Sequence, residues 1–327
     1  MLKFYVKTTE TCQLRCRHCY IGDFRDKQGF FDEAKTAEWI LKESGGRPCK
    51  VSFHGGEPFL CPLEKMQYVC DHLPQATFDA TTNLMYGEDR MRDIIRFAKK
   101  NFKSEDGKPF MKTSYDYKIR FGEGQEELFW KNVGMVQDAG IRLQVTICLT
   151  SLLVNEMPPE KLLETLLAHD VMAINFERLT ENTTADKSLL PEFDDVDRWL
   201  LRFYKASNIT GIDVEFFRNM EWAAQGVFLD CRARGCMKTV RTINADGSVG
   251  GCPNTSNQQS FANIDGSYDE QKHELLKKQE CAWHMECFMC GLFKVCNGDC
   301  HQLSWKNGKC PEPKRLLRRI MDDASRK

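Results

Sequence analysis

The chain has 327 residues, 42% of them hydrophobic and 28% charged, which suffices for one large and one smaller domain with a sizeable core. Its formal net charge of −1 provides no overall attraction to nucleic acid or to an anionic membrane. A membrane span requires about eighteen consecutive apolar residues, and no stretch of the sequence has them. The N-terminal segment is too short and too polar for a signal peptide. We therefore expect a cytoplasmic protein.

Short runs rich in β-branched and aromatic residues recur along the chain and predict strands, which helical patterns separate. The predicted strands are Lys3–Lys7, Lys50–Phe53, Thr77–Thr81, Met111–Tyr115, Ile141–Leu149 and Val171–Phe176. The predicted helices are Glu33–Glu43, Leu63–His72, Asp89–Lys100, Glu126–Ala139 and Pro159–Ala168. Strands that return every ~30 residues between helices indicate βα units and a parallel sheet. Six such units predict an α/β fold, a partial (β/α)6 barrel.

A helix at about Asp194–Ala206 and a strand at Asp213–Phe217 follow. From about Gly226 the periodicity fades, and nine of the sixteen cysteines lie from Cys231 onward. The loss of hydrophobic periodicity together with these clustered cysteines indicates a small domain held by metal rather than by an apolar core alone. We therefore predict a domain 1–225 and a cysteine-rich domain 226–327. The basic run at Lys314–Arg319 is predicted to be the solvated face of a terminal helix.

Sixteen cysteines need a chemical explanation. Disulfide scaffolds are short, secreted chains with an export signal, whereas clustered cysteines in a reducing compartment more often bind metal. Cys12, Cys16 and Cys19 have the spacing C-x3-C-x2-C and directly follow the first predicted strand, where barrel-like α/β folds keep their active sites. Three thiolates leave one iron of a [4Fe–4S] cluster without a protein ligand, and that iron can bind a cofactor.

This motif resembles that of the radical S-adenosylmethionine (SAM) superfamily. The resemblance implies that the open iron chelates SAM, and that an electron cleaves SAM to methionine and a 5′-deoxyadenosyl radical, which abstracts a hydrogen atom. It also implies an external electron donor of the flavodoxin or ferredoxin kind. His18 departs from the family, which usually has an aromatic residue before the last cysteine. A zinc site with a further ligand, such as His18 itself, is the alternative.

Further motifs fall at successive strand ends. His54-Gly-Gly-Glu-Pro58 is similar to the family's GGEP element, in which two glycines let the backbone approach a ligand closely. By resemblance, Gly55, Gly56 and Glu57 contact SAM, with Glu57 accepting a hydrogen bond from its ammonium group. Thr82-Asn83, at the end of the third predicted strand, resembles the family's TN element near the SAM pocket. Ser114 and Asp116 lie where relatives contact the SAM ribose, although turn capping explains Asn83 or Asp116 equally well.

The C-terminal cysteines resemble the SPASM domain, in which G-x4-C precedes C-x2-C-x5-C-x3-C and one more cysteine. The resemblance implies two auxiliary [4Fe–4S] clusters beside the SAM-binding one. One would take Cys231, Cys236, Cys252 and Cys300, and the other Cys287, Cys290, Cys296 and Cys310. Some relatives leave an iron open at the position of the Cys231–Cys236 pair. The alternative is a non-enzymatic scaffold with zinc ribbons. Unassigned cysteines, expected to be buried thiols, are Cys49, Cys61, Cys70, Cys148 and Cys281, of which Cys281 is the one to test for reactivity.

Relatives with a SPASM domain mostly modify peptides or proteins, so a peptide side chain is the first substrate hypothesis. Only eleven residues precede Cys12, so we expect any leader-binding function to reside in a separate recognition partner. Pro253 stands where sulfatase-maturing relatives have an aspartate base, which argues against that activity. The second hypothesis is an amino-acid-like group on a small molecule or a hypermodified phage nucleobase, which the overall charge does not support. Position alone suggests Tyr115, Asp116, Glu177 and Arg178 as acid or base candidates, and Thr146 lies on the fifth predicted strand.

Overall fold

The computed structural model describes residues 1–22, 29–104, 106–181, 184 and 186–326. They form two compact units. The first unit comprises Met1–Ser114, Arg120–Gln144 and Cys236–Lys277. The second comprises Tyr115–Ile119, Val145–Gly235 and Lys278–Lys327. The predicted domain boundary near residue 225 stays a prediction. No described helix is both long and apolar enough to cross a lipid bilayer.

Strands and helices alternate through the first part of the chain. In order they are β1 (Leu2–Thr9), α1 (Glu33–Ser44), β2 (Cys49–Gly55), α2 (Leu63–His72), β3 (Ala76–Thr82), α3 (Glu88–Asn101), β4 (Phe110–Ser114), α4 (Gln125–Asp138), β5 (Arg142–Leu149), α5 (Ser151–Glu156), α6 (Pro159–Ala168), β6 (Ala173–Arg178) and α7 (Phe193–Ser207). The six predicted strands and the predicted helices are therefore confirmed, with shifts of a few residues at their ends.

The later elements are shorter. They are β7 (Asp213–Val214), α8 (Glu215–Ala224), α9 (Cys236–Thr239), β8 (Val240–Ile243), β9 (Ser248–Gly250), β10 (Ala262–Asn263), α10 (Glu270–Glu280), α11 (Phe293–Cys296) and α12 (Lys314–Ala324). The predicted strand at Asp213–Phe217 is wrong beyond Val214. Phe217 and Met220 are both buried and three residues apart on α8, so this apolar run has a helical rather than a strand period.

In the first unit the strands form a sheet in the order β10-β9-β8-β1-β2-β3-β4. The pairs β1–β2, β2–β3 and β3–β4 are parallel, and β8 also pairs in parallel with β1. The pairing of β8 was missed from the sequence. It brings the segment that begins at Cys236 back to the strand that precedes Cys12.

The two faces of this sheet differ in chemistry. Alternate residues of a strand point to opposite faces. One face is buried and apolar, with Phe4 on β1, Phe53 on β2 and Phe78 on β3, of which Phe53 and Phe78 stack with their centroids 6.1 Å apart. The other face carries Tyr5, Ser52 and Asp79, which are joined by the strand register. One side of the sheet therefore supplies the core, and the other is lined with polar groups.

In the second unit β5, β6 and β7 pair in parallel. Helix α12 packs on α7 and α8 and buries Leu316, Leu317 and Ile320. The predicted terminal helix is thus confirmed, and the basic run lies at its start.

Candidate metal centres and their surroundings

The loop that carries Cys12, Cys16 and Cys19 leaves the carboxyl end of β1. Cys16 is buried, and the other two are half-buried. The Cys19 N–H donates to the Cys16 carbonyl (3.2 Å), which closes a tight turn between these two cysteines. The prediction that the three thiols lie on one short loop at a strand end agrees with this geometry. Their role as metal ligands stays a prediction.

Gly55 and Gly56 pack directly against the strand that leads into this loop. A Cβ at Gly55 would lie 2.2 Å from the Thr9 carbonyl oxygen, and one at Gly56 would lie 2.2 Å from that of Thr11. The Gly56 N–H donates to the Thr9 carbonyl (2.8 Å). Gly55 also has a φ of +131°, which L residues rarely adopt. Within the first unit, the close approach that requires these glycines is therefore to the backbone before Cys12.

Glu57 connects three segments of the first unit. Its side chain is 1% exposed. Its Oε1 accepts from the Thr82 hydroxyl (2.8 Å), and its Oε2 accepts from the Asn83 N–H (2.7 Å). The Glu57 N–H donates to the Thr11 carbonyl (2.9 Å), and burial raises the pKa of its carboxyl group. The carboxylate therefore joins the GGEP turn to the end of β3, and its predicted contact with SAM remains a prediction.

Asn83 extends this network to the first cysteine. Its Nδ2 lies 3.6 Å from the Cys12 Sγ, and the Leu14 N–H donates to the same sulfur (3.4 Å). The loop that follows Asn83 is held by the buried Asn132 of α4, which donates to the carbonyl of Leu84 (2.7 Å). A cysteine sulfur that receives two N–H groups is suited to negative charge, as in an iron–sulfur ligand.

The remaining predicted pocket residues have structural roles. Ser114 ends β4 and is half-buried. The buried Asp116 accepts from the Cys148 N–H (2.9 Å), and Tyr115 donates its N–H to the Thr146 carbonyl (2.9 Å). Both contacts lie within the second unit. Asp116 thus helps to fix the end of β5, and its predicted contact with the SAM ribose is untested.

A polar cluster near the cysteine loop was not predicted from the sequence. Lys7 is fully buried, lies 5.2 Å from the centroid of the Tyr20 ring and donates to the Asn257 side chain. Burial lowers the pKa of Lys7 to about 8. The Tyr20 hydroxyl lies 2.9 Å from His54 Nδ1. The signal that could have identified the cluster is a lysine in the apolar strand Lys3–Lys7, because burying a lysine requires partners.

In the second unit, two predicted ligands are hydrogen-bonded and two others interact electrostatically. A hydrogen bond from the Cys231 side chain lowers the pKa of Cys300 to about 7, and both belong to one predicted cluster. Burial raises the pKa of the Cys310 thiol, and the charge of Cys287 adds to this rise. Cys287 and Cys310 belong to the other predicted cluster. Cys236 and Cys252 lie in the first unit.

Buried ion pairs lie next to cysteines of the second unit in the chain. Arg232, which follows Cys231, lies 2.9 Å from Glu312 and 3.6 Å from Asp299, and all three are less than 10% exposed. Arg178 at the end of β6 also pairs with Asp299, which precedes Cys300. Arg178, suggested above as an acid or base, is therefore committed to an ion pair that positions a cysteine loop.

Arg234 holds the same region through main-chain carbonyls. Its guanidinium group donates to the carbonyls of Asp299 (2.9 Å), Gly298 (2.9 Å) and Glu280 (2.6 Å). It also lies 5.5 Å from the Trp283 ring centroid. One arginine thus satisfies several carbonyls in a segment with little regular secondary structure.

The donor set fits iron–sulfur clusters. Burial raises the pKa of the Cys12 thiol to about 11 and that of Cys296 well above its usual value. Such thiols lose their protons when a metal ion supplies positive charge. Grouped cysteines with N–H donors at sulfur match the ligands that [4Fe–4S] clusters use. Of the unassigned cysteines, Cys49, Cys61 and Cys148 are buried as expected, Cys70 is half-buried and Cys281 is exposed.

No family model and no curated protein matches this chain. Solved structures do match. Native anSMEcpe with bound AdoMet superposes with a TM-score of 0.79 at 17% identity, over 99% of this chain and 100% of that chain. Its complex with AdoMet and the Cp18Cys peptide gives the same TM-score and identity, over 99% of each chain. Streptococcus suis SuiB bound to the precursor peptide SuiA gives a TM-score of 0.65 at 15% identity, over 92% of this chain and 72% of that chain.

AdoMet is S-adenosylmethionine, so the first two of these structures hold SAM. The chain shares the fold of these structures, and the predicted α/β partial barrel is confirmed. At this level of identity the likeness shows the fold.

Proposed function

We propose that this protein is a radical SAM enzyme with a SPASM-type C-terminal region, which cleaves SAM reductively and modifies a peptide or protein side chain by hydrogen abstraction. The observation that carries the proposal is the position of Cys12, Cys16 and Cys19. They lie on one loop at the carboxyl ends of β1 and β2, and Gly55 and Gly56 pack against the strand that leads into it. SAM-bound structures share this fold.

In this proposal Cys12, Cys16 and Cys19 hold the SAM-binding [4Fe–4S] cluster. Such a cluster supplies the site and the electron for SAM cleavage. Asn83 and the Leu14 N–H stabilise negative charge on the Cys12 sulfur. Glu57 fixes the GGEP turn against Thr82 and Asn83, so that the backbone of Gly55 and Gly56 stays in place beside the loop. An external donor of the flavodoxin or ferredoxin kind would provide the electron.

The auxiliary clusters would use the two sets of C-terminal cysteines predicted from the SPASM resemblance. The hydrogen bond between Cys231 and Cys300 supports the first set, and the effect of Cys287 on the pKa of Cys310 supports the second. The buried network of Arg232, Glu312 and Asp299 would keep these ligands positioned when clusters are absent.

A peptide is the favoured substrate class. The SuiB and anSMEcpe structures include complexes with peptides, which supports the same class here. The alternative, an amino-acid-like group on a nucleobase, would draw on the basic run at the start of α12. Arg315 of that run already pairs with Asp194 (3.2 Å) and Asp197 (3.3 Å), so little of the charge of Arg315 is available to phosphates.

Anaerobic reconstitution tests the proposal. We expect about twelve irons per chain and formation of 5′-deoxyadenosine after addition of SAM and dithionite. Two or three bound zinc ions without 5′-deoxyadenosine would instead establish the zinc scaffold and overturn the proposal.

A further inference from the structure

The ammonium group of Lys7 contacts two segments of the first unit that each carry a predicted metal ligand. Lys7 is fully buried, and its Nζ lies 5.2 Å from the centroid of the Tyr20 ring, which directly follows Cys19. The same ammonium group donates to the side chain of Asn257, which follows Cys252 by five residues. Lys7 therefore contacts both the loop of the predicted SAM-binding cluster and the segment of a predicted auxiliary cluster.

The segment that carries Cys252 is fixed to the same sheet as Lys7. The Thr242 hydroxyl of β8 donates to the carbonyl of Gly251, which directly precedes Cys252 (2.7 Å). β8 itself pairs in parallel with β1. The contact between Lys7 and Asn257 therefore joins two elements that main-chain pairing already holds side by side, so the sheet sets the place of the ammonium group.

One carboxylate faces Lys7 at longer range. The Glu10 Oε1 lies 4.0 Å from the Lys7 Nζ and accepts from the Asn257 Nδ2 (3.2 Å), and Glu10 is also buried. Burial lowers the pKa of Lys7 to about 8, and four groups that carry negative charge when ionised oppose this fall: Glu10, Cys252, Asp246 and Cys19. Lys7 is therefore mostly protonated at neutral pH, and it interacts with one cysteine from each of two predicted clusters.

A charge in this place has a consequence for electron transfer. Burying an ammonium group costs free energy unless negative charge compensates it, and thiolate-ligated clusters would add such charge next to the residues that Lys7 contacts. In turn, a fixed positive charge away from water stabilises the reduced form of a cluster, which is the more negative one. Nearby charge is one of the factors that set the reduction potential of an iron–sulfur cluster, and Lys7 supplies it without being a ligand.

We propose that Lys7 raises the reduction potentials of the two clusters to which Cys19 and Cys252 are assigned, by holding one positive charge beside both segments. The inference rests on the proposed function and adds to it a residue that sets how readily these clusters accept an electron. The alternative is a structural role, in which the hydrogen bond of Lys7 to Asn257 matters and its charge does not.

Redox titration of the reconstituted holoenzyme, followed by electron paramagnetic resonance of the reduced clusters, tests the proposal. In Lys7→Met we expect the equilibrium constant for one-electron reduction to fall about tenfold, a shift of about 59 mV to more negative potential. Lys7→Arg keeps the charge, so its potentials should stay near those of wild type. Wild-type potentials in Lys7→Met, or an equal fall in Lys7→Arg, would overturn the proposal.

Glu10→Gln should shift the potentials in the opposite direction. It removes the negative charge beside Lys7 but keeps an oxygen that can accept from Asn257, so the potentials should rise. A general distortion of the fold gives no reason for opposite shifts in the two variants. Glu10→Gln also carries the test if Lys7→Met folds poorly, and potentials that fall or stay unchanged in it would contradict an electrostatic role.

The matched control is Lys65→Met. Lys65 on α2 belongs to the same unit, is 31% exposed and pairs with Glu33. Burial raises the pKa of Cys61 and Lys65 opposes this rise, but Cys61 is not among the predicted ligands. Removal of this lysine should leave the potentials unchanged. A fall as large as that of Lys7→Met would show that the effect does not depend on the position of Lys7.

A background with Cys12, Cys16 and Cys19 changed to alanine separates the two clusters. It removes the SAM-binding cluster, so a fall on adding Lys7→Met there belongs to the cluster of Cys252, and no fall would contradict the assignment to that cluster. Failure of this inference is distinct from failure of the proposed function. Clusters that form and support 5′-deoxyadenosine formation, with no shift in Lys7→Met, overturn the role of Lys7 alone, whereas bound zinc without iron overturns the proposed function.

Discussion

The two cysteine regions are held in place by different forces. The loop of Cys12, Cys16 and Cys19 is fixed by main-chain packing, in which Gly55 and Gly56 lie against the backbone of Thr9 to Thr11. The cysteines of the second unit lie in short, irregular segments that Arg232 and Arg234 hold through buried ion pairs and carbonyl contacts. A regular sheet can position a cysteine loop largely through its backbone, whereas an irregular segment needs charged side chains that each reach several partners.

Breaking the ion pairs should have the largest effect. Arg232→Met leaves Glu312 and Asp299 as buried carboxylates with one partner fewer, so we expect a loss of about 3–5 kcal/mol in the free energy of unfolding. The irons of the C-terminal region should fall with it. Chemical denaturation and iron analysis measure both.

The control for this variant is Arg202→Met. Arg202 pairs with Glu160 (2.8 Å), but the two side chains are 60% and 49% exposed, so we expect a change within about 0.5 kcal/mol. If Arg232→Met costs no more than this control, buried ion pairs do not hold the second region.

Gly56→Ala tests whether main-chain packing fixes the loop of Cys12, Cys16 and Cys19. Its Cβ would lie 2.2 Å from the Thr11 carbonyl, so the strand before Cys12 must move, at a cost of about 3 kcal/mol. We expect loss of about four irons together with SAM cleavage, while the C-terminal irons remain. Gly134→Ala on α4 is the control, because no atom of the described residues, apart from the backbone of its own helix, lies within 4 Å of its Cβ. A Gly56→Ala protein with wild-type stability and iron content would show that main-chain packing is dispensable.

Acid should destabilise the first unit through Asp79. Its folded pKa of about 2 is below the ordinary value of 3.8, so its contribution is present above about pH 4 and is lost as the pH falls towards 2. The contribution amounts to about 2 kcal/mol. Unfolding free energies measured across this range should therefore decline less steeply for Asp79→Asn than for wild type. Identical slopes would mean that Lys50 and Lys112, which pair with Asp79 at 3.1 Å and 3.2 Å, do not stabilise the charged carboxylate.

Glu57→Gln should have the smallest effect on stability and a specific effect on SAM. The new amide places N–H groups against donors of Thr82 or Asn83, which disturbs the GGEP turn. We expect SAM affinity to fall by about tenfold, or 1.4 kcal/mol, with the iron content unchanged. Equilibrium binding of SAM measures this, with Glu64→Gln on the exposed side of α2 as the control. Unchanged affinity would show that the predicted contact between Glu57 and the ammonium group of SAM is wrong.

The sequence predicted the βα units well because their hydrophobic periods are strong, and the GGEP and cysteine motifs marked the strand ends. The sequence motif does not show that Gly55 and Gly56 also accommodate the backbone of Thr9 and Thr11, because those residues lie on a different strand and loop. The predicted close approach of the two glycines to a ligand stays a prediction. A short apolar run such as that around Phe217 suits both a strand and a helix period, so the sequence predicts a strand where the structure has a helix. The pairing of Arg232 with Glu312 joins residues eighty positions apart and leaves no local pattern.

The most direct test of the central claim is iron content and SAM cleavage in a variant with Cys12, Cys16 and Cys19 all changed to alanine. If the two cysteine regions hold separate clusters, the reconstituted variant keeps about eight irons and forms no 5′-deoxyadenosine. Loss of all iron, or continued formation of 5′-deoxyadenosine, would contradict the assignment of SAM cleavage to the loop after β1.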